Sequence, residues 1–461
     1  MMVPMILKLL WPTFAFLYPF VVLPWLPSHA GVVLAKHGFV LLFVLLGALL
    51  EMLAHPATRL GHLLHLPRKL RTQPVLALLF ALALVMVLAA LFSPERAVAL
   101  TGSTHNYADG LVWSLMMLAV ALLVYLRTRE DPETPRRVAF GLVLGGSLLA
   151  LLALAEVLMG RPLFYVRATP ADLPLVTFPQ KGHLSGYFVL TAGVALGLRN
   201  PWGLFLGALG IGLAFNRAGL LALAVLALLA LWRAPRYGLL AGLVLALGVG
   251  TGMGAVWLAS RGPVEGGGTV REVASPSTFL TRLYYWKAAL GGMAARPLLG
   301  WGGGVFEQRW PQFLHKEDLE AFLRTEFGYT DASLVEVANA PGGDPVFLLR
   351  KDDGSFVRLR LYLFRAHNQF LEVGLKWGLL GLGLYLALLL WGLRGLAGLH
   401  PAATGLLAVH AFFLFWFALP DGEGALWALW GAGLGALGPL MAKSGQGSPE
   451  GHQAGRTGEV P

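Results

Sequence analysis

The sequence predicts an all-α polytopic membrane protein with about twelve transmembrane helices and one large extracytoplasmic loop that contains helices and a β-hairpin. Of the 461 residues, 56% are hydrophobic and 13% are charged, whereas about a quarter of the residues of a soluble protein are charged. Apolar stretches recur along almost the whole chain. These observations exclude a soluble enzyme and a disordered scaffold. The absence of cysteine excludes disulfides and thiolate metal sites.

Twelve segments resemble membrane spans in length and apolar composition, since a helix needs about 20 mostly apolar residues to cross the hydrocarbon core. Two of them, 184–198 and 201–216, are short and meet at Arg199-Asn200-Pro201-Trp202, so their boundaries are the least sharply defined. The predicted spans are 4–27, 32–54, 74–92, 110–126, 138–159, 184–198, 201–216, 218–232, 238–259, 368–393, 402–420 and 424–442.

The Lys and Arg residues of the short loops predict the orientation, because cytoplasmic loops are enriched in them. One set of alternate loops holds twelve and the other set six, and the last loop of the second set holds only Asp421 and Glu423. The first set is therefore expected in the cytoplasm, together with both termini. The net charge of +10 is then a property of these loops and not a sign of nucleic-acid binding. The twelve residues are Arg59, Arg68, Lys69, Arg71, Arg127, Arg129, Arg136, Arg137, Arg199, Arg233, Arg236 and Arg394.

The chain divides into four predicted parts. Residues 1–260 hold helices 1–9, residues 261–366 form the large extracytoplasmic loop, residues 367–442 hold helices 10–12, and residues 443–461 form a disordered cytoplasmic tail rich in Gly, Ser and Gln. Within the large loop, the pattern predicts mostly helix from Gln308 to Phe327. Val346 to Leu349 and Phe356 to Leu361 flank Asp352-Asp353-Gly354-Ser355, which is typical of a hairpin turn. A loop of this length in a compact protein is usually functional.

Arg217 is the first candidate site residue, because charged residues in or beside membrane spans are costly and are kept for a reason. It follows Asn216 in a tight turn between two predicted helices at the outer membrane surface, with no carboxylate near it in the sequence. The alternative is an arginine whose side chain extends to the lipid headgroups.

Arg282 is the second candidate and lies in Thr281-Arg282-Leu283-Tyr284-Tyr285-Trp286-Lys287. The mixture of aromatic and basic residues predicts a helix that lies along the outer membrane interface, and anchoring at that interface would by itself explain the aromatic residues. The glycine-rich segment 300–304 follows. The backbone N–H groups of Gly302 and Gly304 are candidates to approach a phosphate, although such a cluster also serves as a hinge.

His367 is the third candidate and precedes Asn368 at the start of the tenth predicted span. A helix dipole lowers the pKa of a histidine in the first turn, which favours the neutral base. The alternative is an interfacial histidine bonded to a backbone carbonyl. Glu372 is expected to face another side of the helix and, with i,i+4 spacing, to pair with Lys376.

These residue types point to one kind of chemistry. Arginines suit diphosphate binding because the guanidinium stays charged and donates in pairs. A neutral histidine suits the deprotonation of a hydroxyl group, and the apolar helices have room for a long lipid. The outer loops contain no Asp-x-Asp sequence, so no metal site is expected. The combination predicts a transferase that acts on a lipid diphosphate at the outer surface.

The order of these motifs resembles the O-antigen ligase and O-antigen polymerase superfamily over about residues 175–395. Asn216 departs from the pattern, since the family more often has Ser or Thr before the arginine. The matching segments are Gln180-Lys181-Gly182-His183-Leu184-Ser185-Gly186-Tyr187, Arg217, Arg282-x-x-Tyr285-Trp286, Pro297-Leu298-Leu299-Gly300-x-Gly302-x-Gly304-x-Phe306, and Ala366-His367-Asn368-x-Phe370-Leu371-Glu372-x-Gly374.

The resemblance implies a metal-independent inverting glycosyltransferase without a cofactor. It would move a glycan from undecaprenyl diphosphate to an acceptor hydroxyl at the outer, periplasmic face of the bacterial inner membrane, in lipopolysaccharide or surface polysaccharide biosynthesis. By the same resemblance, Arg217 and Arg282 would hold the diphosphate and stabilise it as the leaving group, while His367 would orient or deprotonate the acceptor. Further substrate contacts are expected from Tyr285, Gly302, Gly304 and Asn368.

Several alternatives remain at this point. A ligase would transfer to a sugar of the lipid A core, a polymerase to a second lipid-linked repeat unit, and a protein O-oligosaccharyltransferase to a protein. The motifs do not separate them because acceptor choice lies in the loops. A lipid-glycan transporter would need polar residues at mid-membrane and paired broken helices, whereas the charges here gather mainly at the outer rim. A structural scaffold would leave the two arginines and the histidine without a role.

Overall fold

A computed structural model describes residues 2–23, 25, 28–54, 66–103, 109–164, 173–259, 276–340, 343–361, 365–418 and 420–437. The predicted tail at 443–461 lies outside the described residues, as do residues 260–275 of the large loop. The described part is mostly helical and carries one small sheet. This agrees with the predicted fold class.

Every predicted membrane segment contains a helix. The described α-helices are α1 (Met2–Leu17), α2 (Ser28–Ala54), α3 (Leu66–Thr72), α4 (Pro74–Leu91), α5 (Arg96–Thr101), α6 (Leu111–Glu130), α7 (Thr134–Met159), α8 (Lys181–Gly197), α9 (Pro201–Ala214), α10 (Arg217–Arg233), α11 (Pro235–Ala259), α12 (Pro276–Ala295), α13 (Val305–Arg309), α14 (Lys316–Phe327), α15 (Gln369–Leu393), α16 (Pro401–Phe412) and α17 (Pro420–Leu437). Short 3-10 helices lie at Tyr18–Phe20, Trp310–Phe313 and Arg394–Gly398.

Within the described residues, seven of these helices are long and apolar enough to cross a membrane, namely α1, α2, α4, α6, α7, α11 and α15. Helices α9 and α16 are apolar but shorter. The chain is therefore a multi-pass membrane protein, while the count of twelve spans and their orientation stay predictions.

The membrane helices pack closely through small residues. A Cβ added to Gly431 of α17 would lie 2.3 Å from the carbonyl oxygen of Ala121 in α6, and one added to Gly212 of α9 would lie 2.4 Å from that of Val249 in α11. Contacts of this kind let helix backbones approach each other in a membrane, where the hydrophobic effect does not drive helices together. The result is one continuous apolar core with several fully buried tryptophans.

The segment between α11 and α15, predicted above to be extracytoplasmic, has its own apolar core. Phe306, Trp310 and Phe322 of its helical part pack with Phe347 of the sheet. The antiparallel sheet has the order β1 (Ala332–Asn339), β2 (Pro345–Lys351), β3 (Phe356–Arg360). The predicted hairpin is confirmed as β2 and β3, and the predicted helix at 308–327 is found as the end of α13, a 3-10 turn and α14. Strand β1 was not predicted.

Helix α15 is broken at Gly378, whose φ of 66° and ψ of −172° are not helical. The break leaves carbonyl groups without helical partners, and these need other donors. The N–H groups of Trp301 and Gly302 donate to Leu375 O and Lys376 O, each at 2.9 Å. The glycine-rich segment is thereby attached to the broken turn of α15.

Candidate active site

Three segments that are distant in the sequence meet around the imidazole of His367. Its ring centre lies 5.3 Å from that of Tyr285 in α12. The rings of Trp416 and Phe417, in the segment between α16 and α17, lie at 5.5 Å and 5.0 Å. The guanidinium carbon of Arg282 lies 5.5 Å from the Trp416 ring centre. The structure thus brings the predicted residues Arg282, Tyr285 and His367 together at one place.

His367 has a defined tautomer. Its Nδ1 lies 3.0 Å from the carbonyl oxygen of Arg365, and a carbonyl oxygen only accepts hydrogen bonds, so Nδ1 carries the proton and Nε2 keeps its lone pair. Burial, together with the smaller effect of the charge of Arg282, lowers the pKa of His367 to about 4. The neutral form agrees with the expectation, but burial is its largest cause and not the predicted helix dipole. The hydrogen bond from His367 to a backbone carbonyl, given above as the alternative interpretation, is present as well.

Arg282 is a half-buried cation in α12. Its Nε is buried and has no hydrogen-bond partner, and none of the described carboxylates forms an ion pair with it. Burial lowers the pKa of this guanidinium, but its ordinary value is so high that the group stays charged. A desolvated, unpaired cation favours the binding of an anion.

Asn368 caps helix α15. Its Oδ1 accepts hydrogen bonds from the N–H groups of Phe370 and Leu371 at 3.0 and 3.1 Å, and its Nδ2 donates to Leu414 O at 3.0 Å. These bonds satisfy free N–H groups of the helix and connect the His367 segment to the segment that holds Trp416. The described contacts support a positioning role, and contact with substrate stays a prediction.

Asn368→Ala is expected to lower the free energy of unfolding by about 1 kcal/mol, because it removes the helix cap. Asn368→Asp keeps an acceptor for the cap and loses the donor to Leu414 O, so it separates the contribution of the cap from that of the bond to Leu414. SDS titration in detergent micelles would measure the free energy of unfolding of both variants. An Ala variant as stable as the wild type would contradict the importance of the cap.

The backbone N–H groups of the two predicted glycines already donate hydrogen bonds to other groups of the protein. Gly302 and Gly304 have φ values of 87° and 75°, which favour glycine. Gly302 N–H donates to Lys376 O at 2.9 Å, and Gly304 N–H donates to Asp109 Oδ2 at 3.1 Å. A Cβ on Gly303 would lie 1.7 Å from the Asp109 carbonyl oxygen. The glycines hold this segment in place, and their contact with phosphate stays a prediction that would require these bonds to be exchanged.

A buried ionic cluster lies behind His367 and consists of Asp109, Arg365, Glu372 and Lys376. Arg365 Nη1 lies 2.5 Å from Asp109 Oδ1 and 3.2 Å from Glu372 Oε1, and Lys376 pairs with Asp109 and, at 3.4 Å, with Glu372. The predicted pair of Glu372 and Lys376 is confirmed as part of this larger cluster.

The cluster positions His367 through the backbone. Arg365 O binds the His367 imidazole, and Glu372 Oε2 accepts the Ala366 N–H at 3.0 Å. Burial alone would raise the pKa of Asp109, but the charges of Arg365 and Lys376 hold it below its ordinary value. Neither Asp109 nor Arg365 was predicted as a site residue, since they are 256 residues apart in the chain.

Arg217 lies at the same end of the helical bundle but outside this group of contacts. It is exposed and begins α10, where Asn216 Oδ1 accepts the Gly219 N–H at 3.1 Å. A Cβ on Gly219 would lie 2.6 Å from Ser185 Oγ, which places this turn beside the start of α8. Among the described residues, the ring contacts that connect Arg282 with His367 do not include Arg217.

A second histidine, also not predicted as a site residue, lies next to these rings. His183 Nδ1 is 2.7 Å from Asp421 Oδ2, and both side chains are buried. The His183 ring centre is 6.3 Å from those of Trp416 and Phe417. Asp421 was expected in a short outer loop, whereas it lies in the first turn of α17.

Across the described ranges, no group of three or more His, Cys, Asp or Glu side chains is arranged to hold a metal ion.

The O-antigen ligase family model matches residues 202–338. The match confirms the resemblance to the O-antigen ligase and polymerase superfamily. It includes Arg217, Arg282 and Tyr285 and ends before His367. No curated protein matches the chain.

Proposed function

We propose that this protein is a metal-independent inverting glycosyltransferase of the O-antigen ligase type. It moves a glycan from undecaprenyl diphosphate to an acceptor hydroxyl at the outer face of the bacterial inner membrane. The observation that carries the proposal is the convergence of Arg282, which forms no ion pair with a described carboxylate, with Tyr285 and neutral His367. The chain also has a family match to O-antigen ligases. Lipid-linked glycans are the substrates that this family implies.

The donor would bind through its diphosphate. Arg282 supplies a charge that no described carboxylate neutralises, and the Nε–H is free to donate. Arg217 would join it from the neighbouring turn at the same end of the bundle. In the reaction the bond between the anomeric carbon and the diphosphate oxygen breaks, and the leaving diphosphate gains negative charge, which guanidinium groups stabilise.

The acceptor hydroxyl would approach from the opposite side of the sugar and bind near His367 Nε2. This nitrogen keeps its lone pair because Nδ1 donates to Arg365 O. It can therefore accept a hydrogen bond from the hydroxyl group and orient its oxygen toward the anomeric carbon. Attack from that side gives inversion.

A polymerase or a protein O-oligosaccharyltransferase would share this donor chemistry and differ in the acceptor. The extracytoplasmic segment supplies part of the site, because Tyr285 belongs to it and packs against its Trp310 and Phe322 with ring centres 6.4 Å and 5.7 Å apart. We therefore expect this segment to select the acceptor.

Purified protein with EDTA present is expected to transfer a labelled glycan from synthetic undecaprenyl diphosphate to one of three acceptors: lipid A core, a second lipid-linked repeat or a peptide. The acceptor that yields product identifies the subclass. Arg217→Ala, Arg282→Ala and His367→Ala should each lose the product, whereas exposed His315→Gln serves as the matched control. Transfer that survives the three substitutions would refute the site, and transfer that EDTA abolishes would refute the metal-free mechanism.

A further inference from the structure

His183 and Asp421 form an Asp–His pair beside the proposed site. The two residues come from helices α8 and α17 and are 238 residues apart in the chain. The His183 side chain is 10% exposed and the Asp421 side chain 4%. A carboxylate only accepts hydrogen bonds, so His183 Nδ1 carries a proton, and in the neutral imidazole Nε2 has the lone pair. This arrangement is the one by which a carboxylate orients a histidine base and stabilises its protonated form.

The Asp–His pair lies beside the same two aromatic side chains as His367. Trp416 and Phe417 are neighbours of both imidazoles. His183, Asp421 and these two rings also border a cavity of about 40 Å³. A cavity of this size has room for a water molecule or a hydroxyl group.

The two histidines differ in what would stabilise a proton on Nε2. The Nδ1 of His367 faces a neutral backbone carbonyl, and Arg282 is a nearby positive charge. Burial holds the pKa of His367 at about 4, so its protonated form is disfavoured. His183 instead faces the carboxylate of Asp421 at 2.7 Å. An imidazolium beside a carboxylate is stabilised electrostatically.

We propose that His183, with Asp421 as its positioning residue, is the base that accepts the proton of the acceptor hydroxyl, while His367 orients that hydroxyl. The inference rests on the proposed glycosyl transfer and adds the destination of the proton. As the acceptor oxygen bonds to the anomeric carbon, the bond to the diphosphate breaks and its electron pair leaves with the polyprenyl diphosphate. The hydroxyl proton moves to His183 Nε2 and is afterwards released to water.

The pH dependence of the transfer rate tests this assignment. The base must be neutral, so kcat is expected to fall at low pH. Asp421→Asn removes the charge that stabilises the imidazolium; the acidic limb of the profile should therefore move to lower pH, and kcat at the plateau should fall as the base weakens. Other charged groups near this end of the site also act on the profile and are left unchanged in the Asp421→Asn variant. They are Glu423 of α17, Arg282 of α12, Lys36 of α2 and His367.

His183→Gln and His183→Ala are expected to lower kcat by about 10²–10⁴-fold, the usual contribution of general base catalysis, with an unchanged KM for the donor. His367→Gln is expected to lower kcat without moving the acidic limb. The exposed His315→Gln is the control for loss of a histidine. A His183→Gln enzyme within about threefold of wild type, or an acidic limb that moves with His367→Gln, would overturn the inference while leaving the glycosyl transfer intact.

The tautomer gives a readout that does not depend on activity. In ¹⁵N NMR of the full chain in nanodiscs, the signals lost in His183→Gln should be those of an imidazole with a protonated Nδ1 and an unprotonated Nε2. A protonated Nε2 at neutral pH would overturn the inference. A wild type that transfers no glycan in the acceptor assay would instead refute the proposed function, and the inference with it.

Discussion

Arg282→Ala is expected to lower kcat/KM for a polyprenyl diphosphate donor by about 10²–10³-fold, the usual effect of removing one group that stabilises a developing anion. The reason is the state of the guanidinium in the free protein. It is half-buried, its Nε has no hydrogen-bond partner among the described residues, and its carbon atom lies 5.5 Å from the Trp416 ring centre. No described carboxylate offsets this charge, so most of its electrostatic effect is available to a bound diphosphate.

Arg282→Lys separates charge from geometry. Lysine keeps the positive charge but cannot donate two parallel hydrogen bonds to a diphosphate, so we expect an intermediate loss. The matched control is Arg324→Ala, which removes an exposed arginine from α14 in the same segment. Steady-state kinetics with varied donor would measure all three variants. An Arg282→Ala enzyme that keeps more than about a third of the wild-type kcat/KM would exclude Arg282 from the donor site.

The helices were largely predictable because their signals are local. Apolar runs locate them, and side chains that begin helices locate several of their ends. Asn200 before Pro201, Asn216 before Arg217 and Asn368 before Gln369 each accept a backbone N–H of the helix that follows. The break at Gly378 was not predicted, since its partners are backbone groups of the distant segment 297–302.

Strand β1 was missed for a physical reason. Leu334 is the one residue of Ala332–Asn339 that is buried, so the strand shows no alternation of apolar and polar residues. Its register is irregular as well, with a shift between Leu334 and Glu336. The strand is held by pairing with β2, in which buried and less buried residues alternate more clearly.

From the sequence, only those site residues that belong to a recognisable motif could be predicted. Sequence context singled out Arg282 and His367, and the resemblance added Tyr285. In the structure Arg282 and His367 both lie beside Trp416, and Tyr285 lies beside His367. His183 lies in a matching segment but was given no role, and Asp109, Arg365 and Asp421 had no motif signal. The pairs of Asp109 with Arg365 and of His183 with Asp421 were therefore not predicted. Their partners are separated by more than 200 residues, and only the packing of distant helices brings them together.

The ionic cluster behind His367 leads to the second large expected effect. Asp109→Asn removes one of its two carboxylates and leaves Glu372 as the carboxylate within ion-pair distance of Arg365 and Lys376, while the charge of Glu423 acts on them from farther away. The side chains are buried, so the remaining charge is not solvated. Removing one partner from a buried ion pair usually costs about 3–5 kcal/mol. We expect this loss in the free energy of unfolding, measured by SDS titration in detergent micelles.

The same substitution should lower transfer activity, because Arg365 O positions His367 and Asp109 Oδ2 holds Gly304. Asp331→Asn is the control, because it makes the same change from Asp to Asn at an exposed position. The folded-state pKa of Asp109 lies below its ordinary value. Its stabilisation is therefore complete above about pH 4 and is lost as the pH falls through the folded pKa. The difference between wild type and Asp109→Asn should accordingly shrink in acid. A difference that is absent at pH 7, or that grows in acid, would show that Asp109 does not carry the stabilising charge, and that the position of His367 depends on other contacts.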